Sequence, residues 1–260
     1  MITLTTDFGD SHYTGALRGA ILSVHPGARL VDLTHGVPRH NVRAGAFALA
    51  AAVPYFPRGT VHVAVVDPGV GTPRRPLLVE CERGLLVGPD NGLLLPAARR
   101  LGFKQARELT NRALWRGEVS STFHGRDIFG PVAAHLDQGL EPAKAGEEIA
   151  DPHDLDFGQG RLEDATLVGE VILVDGFGNC VTNIAAELAR KALREGADAR
   201  VGWAGGEIEA PLRRAYAEAP PGEPLLVVGS AGYLEVAMAE GSFAERSGLE
   251  VGMQVRIRPA

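Results

Sequence analysis

Hydrophobic positions in the first half of the chain form short continuous runs, separated by stretches with helical spacing. Ile2–Thr6 is a β-rich run that ends at Asp7-Phe8-Gly9-Asp10. Residues 14–24 are spaced as a helix and are stopped by Pro26-Gly27. Leu30–Thr34 is a second strand, and residues 42–53 form an Ala-rich apolar helix ended by Pro54. Residues 60–66 are a continuous apolar run, the pattern of a strand buried on both faces of a parallel sheet. Two further runs, 77–81 and 85–87, flank Glu82-Arg83-Gly84 and predict a hairpin. Residues 91–101 and 127–139 read as helices. Strands alternating with helices predict an α/β sheet with helices on its faces.

The pattern changes after an Asp-, Gly- and Pro-rich stretch at 151–163. Beyond it lie short β runs at 166–175, 181–184, 201–203, 225–228, 233–238 and 254–258, separated by Gly-rich turns. One helix, near 187–195, interrupts them. Short strands with frequent turns predict a small all-β barrel or sandwich. The expected division is an α/β domain over 1–155 and a β domain over 163–260. Ligand sites favour domain junctions and the carboxyl ends of parallel strands. Asp7 and Asp67 each follow such a strand end, so two carboxylates should share one rim of the sheet.

Composition narrows the function classes. Hydrophobic residues make up 45% and charged residues 22%, within the globular range, which argues against disorder. The formal net charge is −6 and no Lys/Arg-rich run occurs, which disfavours nucleic-acid partners. Two cysteines, Cys81 and Cys180, make neither a disulfide framework nor a zinc site. The first residues lack a secretory pattern, and no apolar run approaches the roughly 18 residues a membrane helix needs. A cytoplasmic protein without a membrane partner is the expectation.

Four segments carry candidate chemistry. The first is Asp67-Pro68-Gly69-Val70-Gly71-Thr72-Pro73-Arg74-Arg75: an acid at a strand end, a turn with two glycines, and Arg74 seven positions on. The glycines permit a close backbone approach, and the turn could fold Arg74 back beside Asp67. A capped turn with a solvated arginine pair explains the spacing equally well. The second is Ser120-Ser121-Thr122-Phe123-His124-Gly125-Arg126-Asp127, where Thr122 or a neighbour could cap a helix. His124 near that helix start would be favoured as a neutral imidazole, fit for proton transfer or hydrogen bonding. Its plain alternative is a structural histidine beside an Arg126–Asp127 surface pair. The third is Asp175-Gly176-Phe177-Gly178-Asn179, in which an acid can hold an ammonium, an aromatic can stack and an amide can read a base edge. A tight β-turn uses the same residues. The fourth is Gly229-Ser230-Ala231-Gly232-Tyr233. Walker A, dinucleotide and Gly-x-Ser-x-Gly patterns are missing. Asp7, Asp10, His12, Asp67 and His124 match no recognised metal-ligand spacing, so no metal is expected.

Together these segments resemble the S-adenosylmethionine hydroxide adenosyltransferase family, relatives of the fluorinating and chlorinating enzymes. The resemblance runs through Thr5-Thr6-Asp7-Phe8-Gly9, Asp32-Leu33-Thr34-His35-Gly36 with Arg39-His40, Asp67–Arg75 and Pro89-Asp90-Asn91-Gly92. It continues through Ser121–Gly130, Phe177-Gly178-Asn179, Thr182-Asn183-Ile184 and Gly229–Ala237. It implies a Rossmann-like α/β N-terminal domain, a C-terminal β-barrel and a homotrimer, with substrate between the N-terminal domain of one subunit and the C-terminal domain of the next. It also implies hydrolysis of S-adenosylmethionine to adenosine and methionine without a cofactor. Asp67, Arg74 and His124 match the set that holds and activates water, and Asp7 the acid on the ribose hydroxyls. Asp175 and Ser230 match the methionine end, and Asn179 a reader of adenine. Phe177 and Tyr216 are implied stacking partners, and His40 a neighbour of the pocket.

Two departures stand out. The 9–13 loop is one residue shorter than in relatives, and Ala239 replaces a usual Asn. A halogenase is the nearest competing reading, but halogenases carry other residues where Asp67 and His124 stand. A binding protein without turnover is the other.

Overall fold

The computed structural model describes residues 1–260 and groups them into two compact units, Met1–Asp156 and Phe157–Ala260. In the first, β1 (Ile2–Thr6) is flanked by β2 (Leu30–Thr34) and β3 (Thr60–Val65), all parallel, and β5 (Gly84–Pro89) continues the parallel half beside β3. The hairpin partner β4 (Pro76–Cys81) then runs antiparallel to β5 and is followed by β6 (Phe103–Leu109) and β7 (Gly146–Ile149), also antiparallel. The seven-stranded order is β2-β1-β3-β5-β4-β6-β7. The sheet is therefore mixed, its parallel half passing into the antiparallel hairpin that the sequence predicts. Strands β6 and β7 escaped the sequence pattern because Phe103–Leu109 carries charged residues on a sheet flank instead of an apolar run.

Helices cover both faces. Helix α1 (His12–Val24) packs with α4 (Gly130–Asp137) on one face, and α2 (Val42–Ala52) with α3 (Leu95–Leu101) on the other. Leu4, Val63, Leu17, Ile21, Phe129 and Val132 form the core of the first face. The second face is built for close approach: a Cβ on Gly45 would lie 2.9 Å from Val66 Cγ2 and 3.0 Å from Leu93 Cδ1. Small residues along α2 thus let it sit tight on the sheet.

Two helices differ from the sequence expectation. The stretch 91–101 is helical only from Leu95, because Asn91 turns the chain. Its Oδ1 accepts from the Leu93 N–H (3.2 Å) and its Nδ2 donates to the Val66 carbonyl (2.9 Å). The stretch 127–139 begins earlier, as one π-helical turn over Gly125–Phe129 leading into α4. Thr122 does not cap it: His124 is the flanking residue and no side chain bonds to the exposed N–H groups.

The second unit is a closed barrel. Its strands are β9 (Thr166–Val174), β10 (Cys180–Ala185), β11 (Asp198–Trp203), β12 (Gly206–Arg213), β13 (Pro224–Val228), β14 (Tyr233–Met238) and β15 (Gln254–Pro259). They follow the ring order β10-β14-β13-β12-β11-β15-β9, closed by β9–β10 pairing, and β8 (Arg161–Glu163) extends it beside β9. Leu167, Val201, Leu226, Leu234, Val255 and Ile257 fill the interior. Helix α5 (Ala186–Ala192) is shorter than expected, and strand β12 and helix α6 (Phe243–Ser247) were not foreseen. Cys81 and Cys180 are free and buried, and burial pushes both thiols up to about 12.

Candidate active site

Parallel pairing of β1 with β3 sets Thr6 opposite Val65, so Asp7 and Asp67 leave the sheet side by side at its carboxyl edge. The strand order turns between β1 and β3 there, the switch point at which open α/β sheets collect ligands. Each acid has a dedicated support. Asp7 Oδ2 accepts the His40 backbone N–H (2.9 Å), and His40 adopts a left-handed φ of 63° to present it. Such a conformation in a non-glycine residue costs free energy and is enriched at functional sites.

Asp67 begins the tight turn the sequence suggested. Val70 N–H donates to the Asp67 carbonyl (3.2 Å), and Thr72 Oγ1 donates to the Gly69 carbonyl (2.6 Å). Gly71 has φ +78°, and a Cβ there would lie 2.3 Å from the Ser121 carbonyl oxygen. Only glycine lets the 67–74 turn rest on the 120–122 loop, which brings Arg74 beside both Asp67 and His124. Arg75 bonds Asp90 (2.7 Å) and Asp151 (2.8 Å), anchoring the turn's far end. Asn91, holding the Val66 carbonyl, anchors its near end.

The guanidinium of Arg74 is the centre of the site. Its Nε donates to both Asp67 oxygens (3.0 and 3.1 Å), and its Nη2 also meets Oδ2. The same Nη2 lies 2.7 Å from His124 Nδ1. The Arg74 plane rests 5.3 Å from the centroid of the buried Phe129 ring, a cation–π contact supplied by the π-helical turn. Arginine has no acceptor, so His124 Nδ1 must accept, which places the neutral ring's hydrogen on Nε2. Burial first, and the Arg74 charge second, hold the imidazole below its ordinary pKa, against the opposite pull of Asp67 and Asp127. His124 is thus kept neutral with an N–H to offer.

The bland reading of Arg126 and Asp127 is half right. They do pair (2.6 Å), but Asp127 is fully buried and also accepts the Ser120 N–H (2.9 Å), so it ties the 116–120 loop to the turn bearing His124. An aromatic wall, missed by the sequence reading, stands alongside: the Phe8 ring is 5.7 Å from Phe123, and Tyr13 is 5.3 Å from Phe123. Its signal was present, since Phe8 follows Asp7 and Phe123 precedes His124. His12 stacks on Tyr13, 4.1 Å between centroids. No group of three or more His, Cys, Asp or Glu side chains is arranged to hold a metal.

The remaining predicted residues lie in the barrel unit. Asp175 Oδ1 accepts the backbone N–H groups of Phe177 and Asn179 (both 2.9 Å), and Oδ2 accepts Asn179 Nδ2 (3.0 Å). The tight-turn alternative therefore describes Asp175 well, and Asn179 keeps its Oδ1 and one amide hydrogen for other use. Gly178 allows the turn to meet Ser242, since a Cβ there would fall 2.0 Å from Ser242 Oγ. Phe177 is 81% exposed and Tyr216 42%, leaving two flat aromatic faces uncovered. Ser230 is exposed in the Gly229–Tyr233 turn. Glu235, which the sequence reading passed over, accepts the Tyr216 hydroxyl (2.6 Å).

Comparison with known proteins places this architecture. Residues 2–146 match the family model described as "SAM hydroxide adenosyltransferase N-terminal domain", and residues 169–256 match its C-terminal counterpart. A Salinispora tropica protein named "(R)-S-adenosyl-L-methionine hydrolase" is 42% identical, over 98% of this chain and 97% of that protein. A fluorinase of an Actinoplanes species is 25% identical, over 100% of this chain and 98% of its own. A crystal structure of an uncharacterized conserved protein from Thermotoga maritima superposes with a TM-score of 0.93 at 36% identity, covering 99% of this chain and 100% of that one.

Proposed function

This chain belongs to the S-adenosylmethionine hydroxide adenosyltransferase family, and on that premise we infer that it hydrolyses S-adenosyl-L-methionine to adenosine and L-methionine. Water supplies the oxygen that attacks ribose C5′, and the C5′–sulfur bond breaks with its electron pair on sulfur. The observation that carries the mechanism is the single guanidinium of Arg74 bridging Asp67 and His124.

The leaving group is a neutral thioether, so no acid need protonate sulfur and no cofactor need accept electrons. The demand is to hold a partly deprotonated water behind C5′. In this proposal His124 Nε2–H donates to the water oxygen and fixes its direction. Asp67 accepts the proton, because an ionised carboxylate has about four lone-pair sites and Arg74 leaves some of them open. His124 cannot take the proton at Nδ1 while Arg74 donates there. Arg74 stabilises the negative charge growing on oxygen. Holding water and carbon in near-attack geometry supplies on the order of 7 kcal/mol of the barrier reduction.

Asp7 is proposed to bind the ribose hydroxyls, with His40 setting its direction. Asn179, Phe177 and Tyr216 are proposed to receive the adenine, and Asp175 and Ser230 the methionine end. The uncovered aromatic faces of Phe177 and Tyr216 support stacking on a flat ring. The resemblance further supports a homotrimer. The formal charge of −6, with no Lys/Arg-rich run, supports a protein without a nucleic-acid partner, and a cytoplasmic location without a membrane partner is proposed; separately, no helix is long and apolar enough to cross a membrane.

Hydrolysis is favoured over halogenation because the ionised Asp67 beside the attack position would repel a halide. The identities point the same way, 42% to a hydrolase against 25% to a fluorinase. Turnover in oxygen-18 water tests the assignment. The label is expected in the adenosine 5′-hydroxyl; unlabelled adenosine, or substrate bound and left intact, overturns it.

A further inference from the structure

Strand β14 alternates its side chains across the barrel wall. Leu234, Val236 and Met238 join the interior cluster, which turns Glu235 to the outer face. An outward carboxylate on a barrel is ordinarily solvated, yet Glu235 is only 6% exposed. Burying a carboxylate is costly unless its oxygens are engaged. One oxygen is hydrogen-bonded and the other is packed against a glycine. Oε2 accepts the Tyr216 hydroxyl at 2.6 Å. Oε1 is packed on Gly229 so closely that a Cβ at that position would lie 1.7 Å away. Burial, together with the nearby charge of Asp175, raises the Glu235 pKa against the opposing hydrogen bond from Tyr216, so the three groups share one environment. Register agrees: Glu235 pairs with Val181 of β10, just beyond the Asp175–Asn179 turn, and with Val227 of β13, just before Gly229.

Glu235 therefore joins two pieces that chain order separates. These are the Tyr216 ring, carried on a short 3-10 turn (Tyr216–Glu218), and the Gly229–Tyr233 turn that bears Ser230. We propose that Glu235 is a positioning residue for the adenosyl substrate. It clamps the Tyr216 ring and the Ser230 turn in the orientation that receives the ligand, and it does not touch the reacting carbon. The inference rests on the hydrolase reading above.

Steady-state kinetics on Glu235→Ala, Glu235→Gln and Tyr216→Phe, with calorimetric titration of adenosine into each, test it. Glu235→Ala and Tyr216→Phe should each raise KM for S-adenosylmethionine and Kd for adenosine roughly tenfold, with kcat falling no more than about threefold. Glu235→Gln, whose amide oxygen still accepts from Tyr216, should stay within about threefold of the unaltered protein. Combining Glu235→Ala with Tyr216→Phe should add little to either alone. The proposal is overturned if Tyr216→Phe leaves KM and Kd unchanged, if Glu235→Gln is as damaging as Glu235→Ala, or if kcat drops in step with affinity. Should Glu235→Ala not fold, Glu235→Gln and Tyr216→Phe still decide the matter. Failure of the unaltered protein to release adenosine would strike the hydrolase reading itself; normal turnover with indifferent variants would strike only the role of Glu235.

Discussion

In the α/β unit the key carboxylate, Asp67, is held by another side chain; in the barrel unit Asp175 is held by the backbone of its own turn. The contrast reflects what each must do. A charged network of Asp67, Arg74 and His124 fixes proton positions and concentrates field at one point, which suits bond breaking. A turn braced by its own acid fixes shape and leaves flat or amide faces outward, which suits recognition. The Asp67–Arg74–His124 network would then govern rate, and the barrel turns, with Asp7 on the ribose, affinity.

Arg74→Leu is the strongest attempt to break that division. Removing the bridging guanidinium should lower kcat by about 10³-fold while the Kd for adenosine changes by no more than about threefold. Equal losses in both would mean that Arg74 itself also carries recognition. Asn179→Ala probes the other side with a smaller effect. KM should rise roughly tenfold with kcat nearly constant, as expected when a contact made equally in the ground and transition states is removed. A large fall in kcat would erase the contrast. The smallest effect is on pH dependence. Because the His124 pKa lies below its ordinary 6.5, the neutral ring persists beneath that pH, and kcat should decline only as pH falls further through the lowered value. Protonation there sets two cations together and breaks the Arg74 contact. A measured acid limb at or above 6.5 would contradict the arrangement.

Much of this was legible in the chain. The β-rich run Ile2–Thr6 and the apolar run 60–66 mark two parallel strands, so their carboxyl ends, and hence Asp7 and Asp67, could be found directly. The Gly69–Gly71 turn announced that Arg74 could return. The flanking supports were harder to read. Asn91 was counted inside a helix because its brace to Val66 is a contact across 25 positions, invisible to local periodicity. The π-helical turn at Gly125–Phe129 has no pattern that separates it from an ordinary helix start, so Phe129 beneath Arg74 went unnoticed. Glu235 is hidden for the opposite reason: alternation marks it as solvent-facing, and contacts with Tyr216 and Gly229, distant in the local pattern, bury it.

The two buried thiols have a practical corollary. Burial pushes both thiols up to about 12, which keeps them protonated at neutral pH and poor nucleophiles. The native chain is then a silent background for maleimide chemistry. A single cysteine placed at Tyr55, 79% exposed, would take up a fluorophore or spin label without first stripping Cys81 or Cys180 from the core.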